Sequence, residues 1–302
     1  MRIVLSECNE IIDEILGQQL SIDLLYSFWF AYYEKGRIND IRRFTALLRR
    51  QDPRYTVYLD SGVYSARRLG VKIPVRELAE YYKKNQDILN YVFNMDAGPV
   101  AEQLVNLEKL SRAGVPVIPI WHGWMDLEVI LQMLDYSSYI ALSFFTVGPP
   151  GSLAQVSPRI TDYLDTFFEF MDKKNLNKVP VHALGTENTK LLLTYPFYSA
   201  DASGYTFDYR TMKAKYFDAQ KPGYSLYDLR KDADVRMMPS AADFMACASN
   251  KQSGRLARGI LAARARVDAQ EFVTNAWIKR GITWEKPNLK SSKGPKSPSS
   301  TP

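Results

Sequence analysis

The chain has 302 residues, of which 46% are hydrophobic, and it carries a formal net charge of +6 with only two cysteines. This length suffices for a large α/β domain, and two cysteines cannot build a disulfide framework. The cysteines and the two histidines stand far apart, so the sequence predicts neither a metal site nor a cofactor. No apolar run approaches a membrane span and no signal peptide is evident, which predicts a cytoplasmic protein without membrane contact.

The basic balance, with a sequence pI near 9.1, raises the prospect of a polyanionic partner. Much of the excess lies close to the C-terminus, so a basic tail that only aids solubility is the alternative interpretation. A good share of the positive charge comes from Lys279, Arg280, Lys286, Lys290, Lys293 and Lys296.

Short apolar segments alternate with amphipathic helical patterns along most of the chain. Such alternation predicts parallel strands joined by right-handed helical crossovers. Seven strand-like segments before residue 210 favour a (β/α)8 TIM-like barrel over a doubly wound open sheet, which would need a glycine-rich phosphate fingerprint that we do not find. The predicted strands are 24–30, 56–59, 91–95, 117–120, 139–143, 179–184 and 198–200. The predicted helices are 38–50, 74–85, 100–113, 127–134, 157–174 and 187–194.

The pattern loosens in the last third of the chain. Residues 205–227 are aromatic and polar and are predicted to hold the last barrel strand with an insertion, while 241–279 is mostly helical and basic. The end of the chain is Lys, Ser and Pro, a composition that cannot bury a core. We therefore predict a barrel catalytic domain over 1–240, a helical basic extension over 241–284 and a disordered tail over 285–302.

Three predicted strands end in an aspartate that is followed by small residues. These are Asp60, Asp96 and Asp201. Active sites of barrels lie at the carboxyl ends of the strands, so carboxylates placed there can face a ligand. One such aspartate is commonly a loop or helix cap, whereas three on separate strands indicate a site without naming its reaction.

The two histidines differ in position. His122 comes just past the strand 117–120, where it can contact a ligand or simply end the strand. His182 lies within the strand 179–184 and is predicted to be a core histidine. No serine occupies a nucleophile elbow, so a serine hydrolase triad is not indicated.

Two segments together resemble the tRNA-guanine transglycosylase family. Residues 181–186 (VHALGT), a helix, and 196–203 (PFYSADAS) resemble its glycine turn and the strand that ends in its nucleophilic aspartate. Residues 58–65 (YLDSGVYS) resemble its Asp-Ser-Gly turn. The two motifs of this chain look closer to those of phage and bacterial relatives that place 7-deazaguanines in DNA. The resemblance covers roughly residues 20–210.

The resemblance implies a role for each aspartate. Asp201 matches the nucleophile that attacks the sugar C1′, Asp60 the general base for the incoming base, and Asp96 a residue that binds the base edge. A carboxylate can trap the oxocarbenium-like sugar, and the base must first leave its stack for an aromatic-lined pocket. The further residues expected to contact the substrate are Ser61, Gly62, His122, Gly185, Tyr64 and Phe144, with Phe145 and Tyr205 as candidates for the same pocket.

Two departures from the family pattern bear on the substrate. The three-Cys, one-His zinc site has no counterpart, and 143–148 (SFFTVG) stands where the family has a Gly-Gly turn. Both favour DNA over tRNA as the partner, with a free 7-deazaguanine as second substrate, in the host cytoplasm if a phage encodes the chain. The alternatives are a tRNA transglycosylase, a non-catalytic nucleic-acid-binding barrel and an unrelated barrel hydrolase, and the oligomeric state stays open.

Overall fold

The computed structural model describes residues 1–6, 11–33, 38–52, 54–143, 160–202, 210–249, 251–284, 286–287 and 289. Over these ranges nine strand segments form one parallel sheet. The segments are β1 (Arg2–Ser6), β2 (Asp23–Ser27), β3 (Val57–Asp60), β4 (Tyr91–Phe93), β5 (Val117–Ile118), β6 (Ile120–His122), β7 (Ile140–Ser143), β8 (Val181–Leu184) and β9 (Ser199–Ala202). Their order in the sheet is β5-β4-β3-β2-β1-β9-β8-β7-β6.

The two end segments of this order are the two halves of one strand. Only Pro119 separates β5 from β6, and a proline interrupts a hydrogen-bond ladder because it has no N–H. Ile118 of β5 pairs with Phe93, while His122 of β6 pairs with Ser143 on the opposite side. The nine segments are therefore eight strands that close on themselves, which confirms the predicted (β/α)8 barrel.

Helices follow the strands in the predicted alternation, because amphipathic segments cover strands whose side chains are buried on both faces. In the described residues they are α1 (Ile12–Gly17), α2 (Ile38–Gln51), α3 (Val63–Arg68), α4 (Val75–Lys84), α5 (Val100–Arg112), α6 (Val129–Leu134), α7 (Ile160–Lys173), α8 (Thr189–Thr194), α9 (Asp232–Arg236), α10 (Ala241–Cys247) and α11 (Gln252–Lys279). Local signals set their ends: the Asn188 side chain accepts hydrogen bonds from the backbone of Lys190 and Leu191 at the start of α8. None of these described helices is long and apolar enough to cross a membrane.

The prediction that the last barrel strand lies within 205–227 is wrong. Residues of that region form β10 (Lys213–Asp218) and β11 (Gly223–Asp228), an antiparallel hairpin in a sheet of its own. The missing strand is β1 at the N-terminus, which pairs in parallel with β9, with Val4 opposite Asp201. The first predicted strand also ends earlier, at Ser27, because 29–33 forms a turn of π-helix.

The chain divides into two compact units. The first comprises Met1–Leu24, Asn39–Tyr55 and Thr186–Thr283, and the second comprises Leu25–Ile38, Thr56–Gly185 and Trp284–Pro302. In the first unit, the predicted C-terminal helical extension is present, and its long helix α11 packs on β1, α8 and β10.

Each unit has its own apolar interior. In the first, a small core under the hairpin gathers Ala214, Leu229, Cys247 and Leu261. In the second, His182 is fully buried, and its ring centroid lies 4.9 Å from that of Phe93 and 5.8 Å from that of Tyr58. His182 is thus a core residue, as predicted. Of the predicted tail 285–302, residues 286, 287 and 289 are described, and Pro287 is buried with its carbonyl accepting a hydrogen bond from the Tyr91 hydroxyl. The other residues of the predicted tail lie outside the described residues.

Candidate functional site at the strand ends

Asp60 is the last residue of β3, and the turn after it holds its carboxylate. Asp60 Oδ2 accepts a hydrogen bond from the Gly62 backbone N–H at 2.8 Å. Gly62 has a φ of 72°, and a Cβ there would lie 2.6 Å from the backbone nitrogen of Trp29. Only glycine meets both conditions without strain. The Asp-Ser-Gly turn therefore fixes the Asp60 carboxylate at the start of α3, with the Ser61 side chain buried.

Asp96 and His122 come from neighbouring strands and meet. His122 Nε2 lies 3.2 Å from Asp96 Oδ2, within ion-pair distance. The His122 side chain is 3% exposed and the Asp96 side chain 24% exposed, so a ligand can reach the carboxylate more readily than the imidazole. The His122 ring is stacked with Trp124, with centroids 5.8 Å apart. His122 is the last residue of β6 rather than a residue just beyond the strand.

Asp201 lies within β9 and is buried. Ser6, at the carboxyl end of β1, donates a hydrogen bond from its Oγ to Asp201 Oδ2 at 3.1 Å. This hydrogen bond holds one oxygen of the Asp201 carboxyl group towards the end of β1. Sequence reasoning missed Ser6, because β1 was not predicted as a strand. The available signal was the branched apolar run of 3–5 that precedes Ser6.

Gly185 follows β8 and has a φ of 82°. Two residues later, Glu187 belongs to a buried ionic cluster that was not predicted. The Glu187 carboxylate accepts from Arg266 Nε and Nη2, each at 2.5 Å, and from Lys215 Nζ at 3.1 Å. Lys215 Nζ also lies 4.8 Å from the centroid of the Tyr224 ring. Glu187, Lys215 and Arg266, the Glu187 cluster, tie the start of α8 to α11 and the hairpin.

Asp96 thus contacts His122, and Asp201 accepts a hydrogen bond from Ser6. The Asp60 carboxylate is bound by the backbone of the turn that follows it. Tyr64 on α3 is 64% exposed, with the Arg68 guanidinium 6.0 Å from its ring centroid. Phe144 lies outside the described residues, as do the other two aromatic candidates for the pocket.

Comparison with known proteins gives likeness in structure only. No protein-family model matches the chain, and no curated protein matches it. A structure of N-acetylneuraminate lyase from Mycoplasma synoviae is 11% identical with a TM-score of 0.43, over 65% of this chain and 62% of that one. A putative dihydrodipicolinate synthetase from Pseudomonas aeruginosa is 10% identical with a TM-score of 0.43, over 67% and 70%.

A third structure, of the tryptophan synthase complex from Pyrococcus furiosus, is 12% identical with a TM-score of 0.44, over 89% of this chain and 97% of that one. The present chain spans less than two thirds of the length of the first lyase structure. At such identities the likeness concerns the fold, and the chemistry has to be argued from the residues of this chain.

Proposed function

We propose that this chain is a pentosyltransferase that exchanges guanine for a 7-deazaguanine base, such as preQ0, in DNA. The proposal rests on the residues that resemble the transglycosylase motifs and on where these residues lie. The observation that carries it is Asp201, a buried carboxylate at the carboxyl end of a barrel strand, oriented by the Ser6 hydroxyl. Asp60 and Asp96 stand in or just after their own strands in the order that the resemblance requires.

In the first half of the reaction, the Asp201 carboxylate attacks C1′ of the target nucleotide. The bond from C1′ to N9 breaks, and its electron pair leaves with guanine, which takes up a proton that Asp60 donates. The sugar passes through an oxocarbenium-like state that a nearby carboxylate traps as a covalent ester. Ser6 acts as a positioning residue here, because its hydrogen bond fixes one carboxylate oxygen of Asp201.

In the second half, the incoming base attacks C1′ through N9 and the ester bond to Asp201 breaks. The incoming base must lose the proton on N9, and Asp60 accepts it as general base. Guanine leaves with one proton and the incoming base gives one up, so the enzyme ends in its starting protonation state. The turn at Gly62 keeps the Asp60 carboxylate in one place through both halves.

Base selection falls to Asp96. A carboxylate is an acceptor only, and the Watson–Crick edge of guanine offers two neighbouring donors, N1–H and the 2-amino group. A 7-deazaguanine that keeps this edge, as preQ0 does, presents the same donors, so one carboxylate can read the leaving and the entering base. His122 Nε2, 3.2 Å from Asp96 Oδ2, is the polar atom placed to orient that carboxylate.

The test is the incorporation of labelled preQ0 by the purified full-length protein, with duplex DNA and tRNA as parallel substrates. We expect label in DNA, loss of incorporation in Asp201→Asn, and wild-type rates in Asp232→Asn, an exposed aspartate on α9. Wild-type incorporation by Asp201→Asn would refute the nucleophile assignment. Label in tRNA alone would overturn the choice of DNA and leave the chemistry intact.

A further inference from the structure

A groove with an apolar floor lies in the second unit, beside the loops that carry Asp60 and Asp96. The cavity has a volume of about 590 Å³ and is bounded by α3, the loop 69–74, the first turn of α4, residues 95–98 and α5. Its apolar lining includes Val63, Ala66, Val71, Ile73, Met95 and Val105. Val71 and Val105 are exposed, at 40% and 45%, so this apolar surface faces solvent.

Four cations from four different segments surround the groove, with a single carboxylate, Glu102, among its lining residues. Lys72 pairs with that carboxylate at 3.3 Å, and Arg76 pairs with a glutamate one turn further along α4. Arg67 on α3 and Lys109 on α5 are exposed and make no ion pair with any residue that the structure describes. The groove therefore has a positive rim above an apolar floor.

The groove adjoins the loops that carry the candidate site residues Asp60 and Asp96. Its wall includes Met95, Ala97 and Gly98, which flank Asp96 on both sides. Its opposite wall is α3, which begins directly after the Asp60 turn. A chain of nucleotides that places one base at these carboxylates would have its neighbouring nucleotides at the mouth of this groove.

We propose that this groove binds the DNA strand next to the exchanged nucleotide, with phosphates on Arg67 and Lys109 and sugars and bases against the apolar floor. The assignment rests on the proposed function. Charge complementarity selects the occupant, because a cationic rim attracts a polyanionic backbone and an apolar floor accommodates unstacked bases. The chain's own end after residue 290 is rich in lysine, and like charge disfavours it as the occupant.

The test compares the double variant Arg67→Gln/Lys109→Gln with Lys83→Gln/Lys84→Gln. The control changes the charge equally, at exposed lysines of α4 that do not line the groove. Fluorescence anisotropy with a labelled single-stranded DNA gives the affinity over a range of salt concentrations. Losing two phosphate contacts should reduce the slope of log K against log salt by about 1.4, which is about 25-fold in affinity near 0.1 M salt. The control should keep the wild-type slope.

Equal losses in both double variants would show a general charge effect and overturn the groove assignment, as would an unchanged slope in the groove variant. The charge-conserving pair Arg67→Lys/Lys109→Arg should retain most of the affinity. If wild type incorporates preQ0 while the groove variant binds DNA normally, the groove assignment fails and the proposed function stands. If the groove variant loses DNA affinity while wild type incorporates no base, the proposed function fails, and with it the placement beside an exchanged nucleotide, whereas DNA binding in the groove stands.

Discussion

Replacing Glu187 by glutamine should destabilise the protein strongly, although the two side chains have nearly the same shape. The Glu187 carboxylate forms ion pairs with Arg266 and Lys215, whose side chains are 0% and 7% exposed. Arg266 belongs to α11 and Lys215 to β10, and both elements are packed, so neither cation can turn to water. The glutamine variant would leave both cations buried with one negative charge fewer.

The expected magnitude follows from this burial. Removing one partner of a buried ion pair costs about 3–5 kcal/mol, because the remaining charge loses its compensation. The Tyr224 ring, 4.8 Å from Lys215 and 5.8 Å from Arg266, still stabilises both cations. We therefore expect the lower end, about 3 kcal/mol, which is about 150-fold in the folding equilibrium.

Urea unfolding followed by tryptophan fluorescence measures this loss as a shift of the midpoint at constant slope. The matched control is Glu80→Gln, whose pair with Arg76 is exposed, at 59% and 86%, so this substitution should leave the free energy of unfolding nearly unchanged. A loss below about 1 kcal/mol in Glu187→Gln would refute the argument. In a double-mutant cycle, Glu187→Gln and Arg266→Met should be clearly non-additive, since the two residues share one contact.

Three further predictions concern other side chains. Ser6→Ala should lower kcat for base exchange at least 10-fold with little change in the KM for the base, because a hydrogen bond to a carboxylate contributes about 1.5–3 kcal/mol. Steady-state kinetics measures both constants. Ser6→Thr keeps the hydroxyl and should restore kcat. His122→Phe should instead raise the KM for the incoming base more than it lowers kcat. A larger change in kcat than in KM would contradict the role of His122 in positioning Asp96. Burial, with the Asp243 carboxylate nearby, raises the pKa of the Cys247 thiol to about 11, so peptide mass spectrometry should find this thiol alkylated by iodoacetamide only after unfolding. Because an unfolded thiol ionises near pH 9, the contribution of Cys247 to stability should be complete below about pH 9 and lost as the pH rises through about 11.

The barrel could be predicted because parallel strands buried on both faces appear in sequence as short apolar runs between amphipathic helices. Strand β1 escaped prediction because its burial depends on distant residues. Ile3 N donates to Gln270 Oε1, and the N-terminal amine of Met1 donates to Thr274 Oγ1 on the same helix. The hairpin 213–228 was misassigned because each of its strands has a length that also fits a barrel strand. Only the antiparallel pairing of β10 with β11 distinguishes a hairpin from a barrel strand.

The site could be predicted as far as each residue follows directly from its own strand. Asp60, Asp96 and Asp201 all come at or just past the end of an apolar run, which a sequence shows. Their partners come from elsewhere in the chain: Ser6 is 195 positions from Asp201. No local spacing encodes such a contact, so the residues that orient the carboxylates emerge only from the fold.

The most direct test of the account is a search for a covalent complex between Asp201 and DNA. The purified protein is incubated with guanine-containing DNA, denatured, digested and analysed by mass spectrometry. We expect an adduct of a base-free deoxyribose on the peptide that contains Asp201, formed in wild type and in Asp232→Asn and absent in Asp201→Asn. An adduct on another residue, or base exchange without any adduct at Asp201, would contradict it.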